Sequence, residues 1–128
     1  MDVQARWMKQ VKKLMLVDDD RTTLKLLQTL LELDGFRVVV VSEGARVLPL
    51  ARAEAPDAVL MDVYLADADG LDLLKEIRSS DDLAGLPVIM SSGLEMEEEC
   101  KIAGADGFIL KPYAPDMLMK TIRTAMGE

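Results

Sequence analysis

Polar side chains follow four of the short apolar runs in this 128-residue chain. They are Asp18, Asp19 and Asp20 after residues 14–17, Asp62 after residues 58–61, Ser91 and Ser92 after residues 87–90, and Lys111 after residues 108–110. If the runs are parallel strands, their carboxyl ends meet at one edge of the sheet, where such sheets bind ligands. We therefore expect these side chains to converge on one site.

Three carboxylates at one edge of a sheet predict a metal site. Neighbouring unpaired carboxylates repel each other strongly, and a divalent cation relieves that repulsion. Hard oxygen ligands suit Mg²⁺, which is the cofactor that we predict. The alternative is helix capping, a common role of aspartate at helix N-termini. Capping accounts for Asp19 or Asp20, but it does not account for Asp62, which directly follows an apolar run.

Lys111 adds a positive charge to the carboxylate cluster. It directly follows an apolar run, which favours an orientation into the site over an ordinary surface position. The bond to Pro112 can be cis, and a constrained peptide at this point would fix the lysine. A carboxylate beside a cation and Mg²⁺ can attack phosphorus while both positive charges stabilise the equatorial oxygens. The predicted chemistry is therefore phosphoryl transfer to Asp62.

The composition excludes several other kinds of chemistry. The chain has no histidine, which excludes Ser/His/Asp and Cys/His catalysis and histidine-ligated metals. Cys100 is the single cysteine, so neither an internal disulfide nor a cysteine-based zinc cluster can form. The chain carries 15 Lys plus Arg against 23 Asp plus Glu, a formal charge of −8. We expect no direct binding of nucleic acid, because that binding depends on basic side chains.

Five apolar runs alternate with segments of helical periodicity. None of the runs alternates apolar with polar residues, which is typical of strands buried on both faces of a parallel sheet. Between them, apolar residues at helical spacing mark one face of each helix, as Leu24, Leu27 and Leu31 do. The pattern predicts an α/β fold, a doubly wound (βα)5 domain with helices on both faces of one sheet. The runs lie at residues 14–17, 38–41, 58–61, 87–90 and 108–110.

Glycine and proline mark the expected helix boundaries. Gly35 ends the first helix, and Pro56 follows the end of the second. Pro49 falls inside the second helix, where proline removes an N–H and clashes with the preceding turn. That helix is therefore expected to begin late or to kink.

One domain accounts for most of the chain. We assign residues 13–128 to it and residues 1–12 to an N-terminal extension. No stretch has the pattern of a signal peptide or is apolar enough to span a membrane. A cytoplasmic protein without a membrane partner is expected.

Five motifs occur in order along roughly residues 13–126. They are Asp18-Asp19-Asp20, Leu60-Met61-Asp62, Asp69-Gly70-Leu71 opening the third helix, residues 86–90 before Ser92, and residues 104–108 leading to Lys111-Pro112. Each is weak alone, but their order and spacing together resemble those of response-regulator receiver domains from two-component signalling. The resemblance implies a flavodoxin-like sheet with strand order 2-1-3-4-5.

The resemblance also implies the roles of the acidic residues. Asp62 matches the phosphoacceptor, which takes a phosphoryl group from a histidine kinase or a histidine phosphotransfer protein. Asp18 and Asp19 match residues that hold Mg²⁺ together with Asp62 and the backbone carbonyl of Tyr64. The absence of histidine agrees with a donor that is a separate protein. The domain itself is the acceptor, so we expect a switch that promotes its own phosphorylation and not an enzyme.

Three further residues match the switching apparatus of the family. Lys111 matches the lysine that contacts the phosphoryl group, Ser92 the hydroxyl residue that follows it, and Phe108 the aromatic residue that changes rotamer with Ser92. In the family these shifts alter the surface made by the fourth helix, the fifth strand and the fifth helix, as a population shift between two states. An output partner, or a second copy of the chain in a homodimer, is expected to bind there.

The segment between Ser92 and Lys111 departs from the family pattern. It contains 18 residues, about one turn fewer than the commonest spacing, so a fourth helix that is short or loosely formed is expected. Acidic side chains are favourable at a helix N-terminus, but this accounts for only part of the glutamates here. The remainder give the output surface an acidic rim and predict a partner with a basic patch. The glutamates are Glu95, Glu97, Glu98 and Glu99.

Two other functions remain open from the sequence. One is a receiver-like interaction module that works without phosphorylation, although such modules typically lose an acidic residue, the acceptor or the lysine. The other is a Mg²⁺-dependent phosphohydrolase with an aspartyl-phosphate intermediate. Its usual acid/base aspartate is missing, because Tyr64 stands two residues after Asp62.

Overall fold

Strands and helices alternate along residues 11–128, the part of the chain that the computed structural model describes. The strands are Lys13–Val17 (β1), Arg37–Val41 (β2), Ala58–Asp62 (β3), Val88–Ser92 (β4) and Gly107–Leu110 (β5). The helices are Arg21–Leu33 (α1), Val47–Glu54 (α2), Gly70–Ser79 (α3), Glu97–Ile102 (α4) and Pro115–Ala125 (α5), and a 3₁₀ turn at Gly44–Arg46 precedes α2. All five predicted strands are confirmed, and α4 is short, as expected. The predicted extension at residues 1–12 lies outside the described residues except for its last two.

The five strands form one parallel sheet in the order β2-β1-β3-β4-β5. This confirms the doubly wound α/β fold and its strand order. Two hydrophobic clusters lie on opposite faces, because alternate residues of a strand point to opposite sides. Leu14 and Leu16 of β1 belong to the cluster beneath α1 and α5, whereas Met15 and Val17 belong to the cluster beneath α2 and α3. Cys100 is fully buried in the second cluster and packs there as a small hydrophobe.

One part of the strand prediction is wrong. β1, β3 and β4 are buried along almost their whole length, but Arg37 and Val40 of β2 and Leu110 of β5 are exposed. β2 and β5 are the edge strands, and the flanking helices cover the centre of the sheet more completely than its edges. A continuous apolar run therefore did not distinguish an edge strand from a central one.

The helix boundaries follow the predicted residues. The Asp20 side chain accepts hydrogen bonds from the Thr22 and Thr23 backbone N–H groups and so caps α1. Gly35, at φ 95°, follows the end of that helix. α2 begins late, at Val47, so Pro49 lies in its first turn. Backbone N–H groups in the first turn have no intrahelical acceptor, so a proline there removes no hydrogen bond from the helix.

Candidate functional site

The carboxyl ends of β1 and β3 bring three carboxylates together. These strands are neighbours, and Val17 pairs with Met61, so Asp18 and Asp62 emerge side by side. One carboxylate oxygen from each of Asp18, Asp19 and Asp62 lies within 4.8 Å of the others. The predicted cluster is thus present in the structure.

The three carboxylates differ in burial. The side chains of Asp18 and Asp62 are 8% and 14% exposed, whereas Asp19 is exposed. Asp18 Oδ1 accepts a hydrogen bond of 2.9 Å from the backbone N–H of Asp20, which fixes that carboxylate at the start of the loop. Because Asp20 caps α1, capping accounts for one aspartate of the run, and Asp18 and Asp19 remain at the cluster.

Lys111 reaches both buried carboxylates. Its Nζ lies 3.2 Å from Asp18 Oδ2 and 3.4 Å from Asp62 Oδ2. Its backbone N–H donates a 2.8 Å hydrogen bond to the carbonyl oxygen of Ser92, and the bond to Pro112 is cis. With all four groups ionised, three negative charges and one positive charge leave a net charge of −2. The donor set therefore fits a divalent cation with a preference for oxygen ligands.

Burial and charge shift the pKa values of these groups. Burial raises the pKa of Asp62, and the negative charge of Asp18 raises it further, while the ammonium of Lys111 opposes both effects. Burial of the Lys111 ammonium would lower its pKa, but the carboxylates of Asp18 and Asp62 outweigh burial and raise it. Ionisation of Asp62 is thus less favourable in the folded protein than in water. The Lys111 ammonium is harder to deprotonate there than in water.

The loop after Asp62 is closed by backbone hydrogen bonds. The N–H of Val63 donates to the carbonyl of Ser91, and the N–H of Gly70 donates to the carbonyl of Val63 at 2.6 Å. Tyr64 and Asp69 form an antiparallel bridge across the loop. These contacts hold the end of β3 against the start of α3. Tyr64 as a whole is 54% exposed.

Ser92 and Phe108 lie on the neighbouring strands β4 and β5. The Ser92 side chain is fully buried, and its hydroxyl oxygen accepts a 3.0 Å hydrogen bond from the backbone N–H of Leu94. Phe108 pairs with Met90 in the sheet register and is partly buried. The predicted switch residues are therefore on adjacent strands, with Ser92 at the carboxyl edge.

Sequence reasoning placed Ser91 at the sheet edge but gave it no function. It pairs with Asp62 across β3 and β4, and both side chains face the same small cavity of about 10 Å³, which Asp18 and Lys111 also line. The Ser91 hydroxyl is buried and makes no hydrogen bond to any of residues 11–128. The alternation of side chains along β4 could have shown that Ser91 faces the same side of the sheet as Asp62, because Ser91 must face the side opposite to Ser92.

Comparisons with known proteins agree on one family. The family model described as the response regulator receiver domain matches residues 14–123. The polar-differentiation response regulator DivK of Brucella anthropi is 32% identical over 120 residues, which cover 91% of this chain and 98% of that protein. DivK of Brucella ovis is 31% identical over the same length.

Solved structures agree with the sequence comparisons. The receiver domain of the sensor histidine kinase PA1611 from Pseudomonas aeruginosa, with a magnesium ion coordinated in its active site cleft, is 26% identical with a TM-score of 0.83. The alignment covers 92% of this chain and 99% of that chain. The BeF3-activated N-terminal receiver domain of RstA from Klebsiella pneumoniae is 28% identical with a TM-score of 0.82, covering 91% of this chain and 99% of that one.

The fold and the acidic pocket define a signalling domain of the receiver class. The chain belongs to the response regulator receiver domain family of two-component systems. Members of this family take phosphoryl groups from histidine kinases or phosphotransfer proteins and act as phosphorylation-based switches. They are signalling domains. Within residues 11–128 there is no helix both long and apolar enough to cross a membrane.

Proposed function

We propose that residues 13–128 form a phosphorylation-controlled switch in which Asp62 accepts a phosphoryl group from a histidine kinase or a histidine phosphotransfer protein. The supporting observation is the position of Asp62 beside Asp18 and Asp19, with the Lys111 ammonium 3.4 Å from its Oδ2. A cytoplasmic location is part of this proposal.

The proposed reaction uses Asp62 as the nucleophile. A carboxylate oxygen of Asp62 attacks the phosphorus of a phosphohistidine, an O–P bond forms, and the P–N bond to the imidazole breaks. The imidazole nitrogen leaves with the bonding electron pair and takes up a proton from solvent. Lys111 is close enough to move from the Asp62 carboxylate to an oxygen of the transferred group, where it offsets the added negative charge.

The same residues are proposed to hold Mg²⁺. Its ligands would be Asp18, Asp19, Asp62 and the backbone carbonyl of Tyr64. When bound, Mg²⁺ neutralises the carboxylates and stabilises negative charge on the phosphoryl oxygens. The net charge of −2 at the cluster and the magnesium ion in the related PA1611 receiver support this assignment.

Ser92 and Phe108 are the proposed switch residues. The Ser92 hydroxyl donates a long hydrogen bond of 3.9 Å to the sulfur of Met96, which is a weak acceptor. A charged phosphoryl oxygen is a stronger acceptor and would replace the sulfur as the partner of this hydroxyl. Ser92 pairs with Leu110 in the sheet register, and Phe108 lies two residues earlier on the same strand. We propose that the Phe108 side chain changes rotamer when Ser92 moves toward the phosphoryl group. The surface formed by α4, β5 and α5 would then differ between the two states.

Intact-mass spectrometry tests the proposal. The domain is incubated with acetyl phosphate or phosphoramidate, with MgCl2 or with EDTA. Wild type is expected to gain the mass of one phosphoryl group only with Mg²⁺, and Asp62→Asn is expected to gain none. Asp81→Asn, which removes an exposed carboxylate far from the cluster, is the matched control and should behave as wild type. Loss of the added mass in hydroxylamine would identify an acyl phosphate.

A negative result with small donors is resolved with a protein donor. A phosphorylated histidine phosphotransfer protein supplies the phosphohistidine that Asp62 is proposed to attack. If neither a small donor nor a panel of such proteins labels the domain, the phosphorylation-independent interaction module replaces the proposed switch. Labelling that persists in Asp62→Asn would instead show that another residue is the acceptor.

A further inference from the structure

The carboxyl ends of β1, β3 and β4 each carry a polar side chain on the same side of the sheet. Alternation along the strands places Asp18, Asp62 and Ser91 on the side that α1 and α5 cover. The residues two positions earlier on the same strands are buried and apolar: Leu16, Leu60 and Ile89. The proposed phosphoryl-transfer site uses Asp18 and Asp62, but it gives no role to Ser91.

The Ser91 hydroxyl faces a small cavity that charged side chains also line. Ser91 is 2% exposed, and its hydroxyl has no hydrogen-bond partner among residues 11–128. Asp18, Asp62 and Lys111 line the same cavity. Space for the Lys111 side chain accounts for a small residue at position 91. It does not account for a hydroxyl, because burial of a hydroxyl without a partner costs free energy.

The cavity has the size and the lining of a binding site for one water molecule. Its volume is about 10 Å³, close to the roughly 10–15 Å³ that one buried water requires. The Ser91 hydroxyl and the Lys111 ammonium are donors, and the carboxylates of Asp18 and Asp62 are acceptors. Water accepts two hydrogen bonds and donates two, so this lining satisfies it. Buried leucines form most of the remaining wall: Leu16, Leu24, Leu27 and Leu60.

The Asp62 carboxylate has room for a further donor. Lys111 Nζ lies 3.4 Å from Asp62 Oδ2, which is longer than the roughly 2.7–3.2 Å of an ordinary N–H···O hydrogen bond. The same ammonium is closer to Asp18, at 3.2 Å. The Asp62 side chain is 14% exposed, so bulk solvent reaches only a small part of it. A water molecule in the cavity would donate a hydrogen bond to Asp62 and fix the orientation of its carboxylate.

We propose that the cavity binds one water molecule that links the Ser91 hydroxyl to the Asp62 carboxylate. The Ser91 O–H donates to the water oxygen, and the water donates to Asp62 and Asp18. Ser91 is then a positioning residue, because the water holds one oxygen of Asp62 toward the cavity and leaves the other facing the phosphoryl donor. The water site stands on the cavity alone, whereas its effect on phosphoryl transfer rests on the proposed function.

The number of long-lived water molecules in the metal-free domain tests the water site. Relaxation dispersion of ¹⁷O in the solvent counts water molecules that stay buried for longer than the domain takes to tumble. Ser91→Val removes the hydroxyl and fills the cavity with methyl groups, so this variant should hold one long-lived water fewer than wild type. A high-resolution crystal structure of wild type should place that water within hydrogen-bond distance of Ser91 Oγ and an oxygen of Asp62.

Ile109→Val is the matched control. Ile109 pairs with Ser91 in the sheet register and is buried in the cluster beneath α1 and α5. Its substitution loosens the packing beside Ser91 without removing a polar group. The variant is expected to be less stable than wild type but to keep the same number of long-lived waters.

The rate of phosphorylation by acetyl phosphate in excess MgCl2 tests the positioning role. Ser91→Ala keeps the space and removes only the hydroxyl, so it also serves if valine overpacks the core. Both Ser91 variants are expected to react about tenfold more slowly than wild type, as is usual on loss of a group that orients a metal-ligating side chain. Ile109→Val should react at the wild-type rate. Stability alone does not test the role, because the water released from Ser91 regains freedom that offsets the lost hydrogen bond.

Any of four outcomes would overturn the inference. Two concern the water: an equal number of long-lived waters in wild type and Ser91→Val, or a crystal structure with no water between Ser91 and Asp62. Two concern the rate: a wild-type rate in Ser91→Ala, or equal slowing in Ile109→Val. The water count needs neither Mg²⁺ nor phosphoryl transfer, so it still decides the water site if Asp62 accepts no phosphoryl group. The two proposals can therefore fail independently.

Discussion

The α-carbon of Gly70 packs directly against the backbone carbonyl oxygen of Asp62. A β-carbon at residue 70 would overlap that oxygen and would lie 2.9 Å from the α-carbon of Val63. Both neighbours are backbone atoms and cannot rotate away. The first residue of α3 thus sets the position of the residue that we propose as the phosphoacceptor.

Gly70→Ala is expected to destabilise the domain by about 1–3 kcal/mol, the usual cost of forcing extra atoms into a packed site. The sign of this change in the free energy of unfolding is informative. In the interior of a helix, alanine in place of glycine ordinarily stabilises the protein by about 0.5–1 kcal/mol. Urea denaturation measures the change. Gly85→Ala is the control, since a β-carbon there meets nothing within 4 Å. A Gly70→Ala domain at least as stable as wild type would show that β3 and α3 can separate freely.

Asp62→Asn is expected to stabilise the metal-free domain at pH 7, because it removes a largely buried carboxylate that lies beside the negative charge of Asp18. The folded-state pKa of Asp62 is raised, so the folded state favours the protonated form. Wild-type stability is therefore lowered as pH rises from the ordinary pKa of about 4 through the raised value. The advantage of the asparagine should shrink as pH falls through this window. Urea denaturation in EDTA across pH 3.5–7 measures it, and a difference independent of pH would contradict the explanation.

Lys111→Met is expected to destabilise the metal-free domain by about 1–3 kcal/mol, because Asp18 and Asp62 would face each other without their cation. A divalent cation can replace part of that charge, so MgCl2 should narrow the difference from wild type. Thermal denaturation in EDTA and in MgCl2 measures both effects. Lys120→Met removes an exposed lysine that forms no ion pair in the described residues and serves as control. Equal stability of the two variants in EDTA would contradict the prediction.

Ser91→Ala and Ser92→Ala are expected to differ although the residues are adjacent. The Ser91 hydroxyl has no hydrogen-bond partner in residues 11–128, so its removal should leave stability unchanged or raise it by up to about 1 kcal/mol. The Ser92 hydroxyl accepts a hydrogen bond from Leu94, and its removal should cost about 1 kcal/mol. Parallel urea titrations compare the two. A Ser91→Ala variant less stable than Ser92→Ala would show that Ser91 has an essential partner.

Local sequence was sufficient to predict most of the fold. The apolar runs identified the strands, Gly35 and Pro56 marked helix ends, and Pro49 correctly implied a late start for α2. The carboxylate cluster was also predictable, because the ends of parallel strands share one edge of the sheet. These features depend on the spacing of apolar residues along the chain and on the backbone conformations that glycine and proline allow.

Features that depend on contacts between distant loops were not predictable. Arg78 donates hydrogen bonds to the carbonyls of Gly104, Ala84 and Leu86 and forms an ion pair of 2.8 Å with Asp106. No local pattern indicates that these segments meet. The closer approach of Lys111 to Asp18 than to Asp62, and the exposure of the edge strands, likewise depend on the tertiary arrangement.

Leu110 and Lys111 are consecutive residues, yet Leu110 lines a groove that crosses β5 between α4 and α5, whereas Lys111 reaches the carboxylates. The path between the two surfaces is a single peptide unit of about 3.8 Å. Coupling between binding equilibria is reciprocal. A partner that binds the phosphorylated form more tightly by some factor must therefore shift the transfer equilibrium toward phosphorylation of the domain by the same factor. The output partner would therefore also regulate phosphorylation, because its presence changes the fraction of the domain that is phosphorylated at equilibrium with the donor.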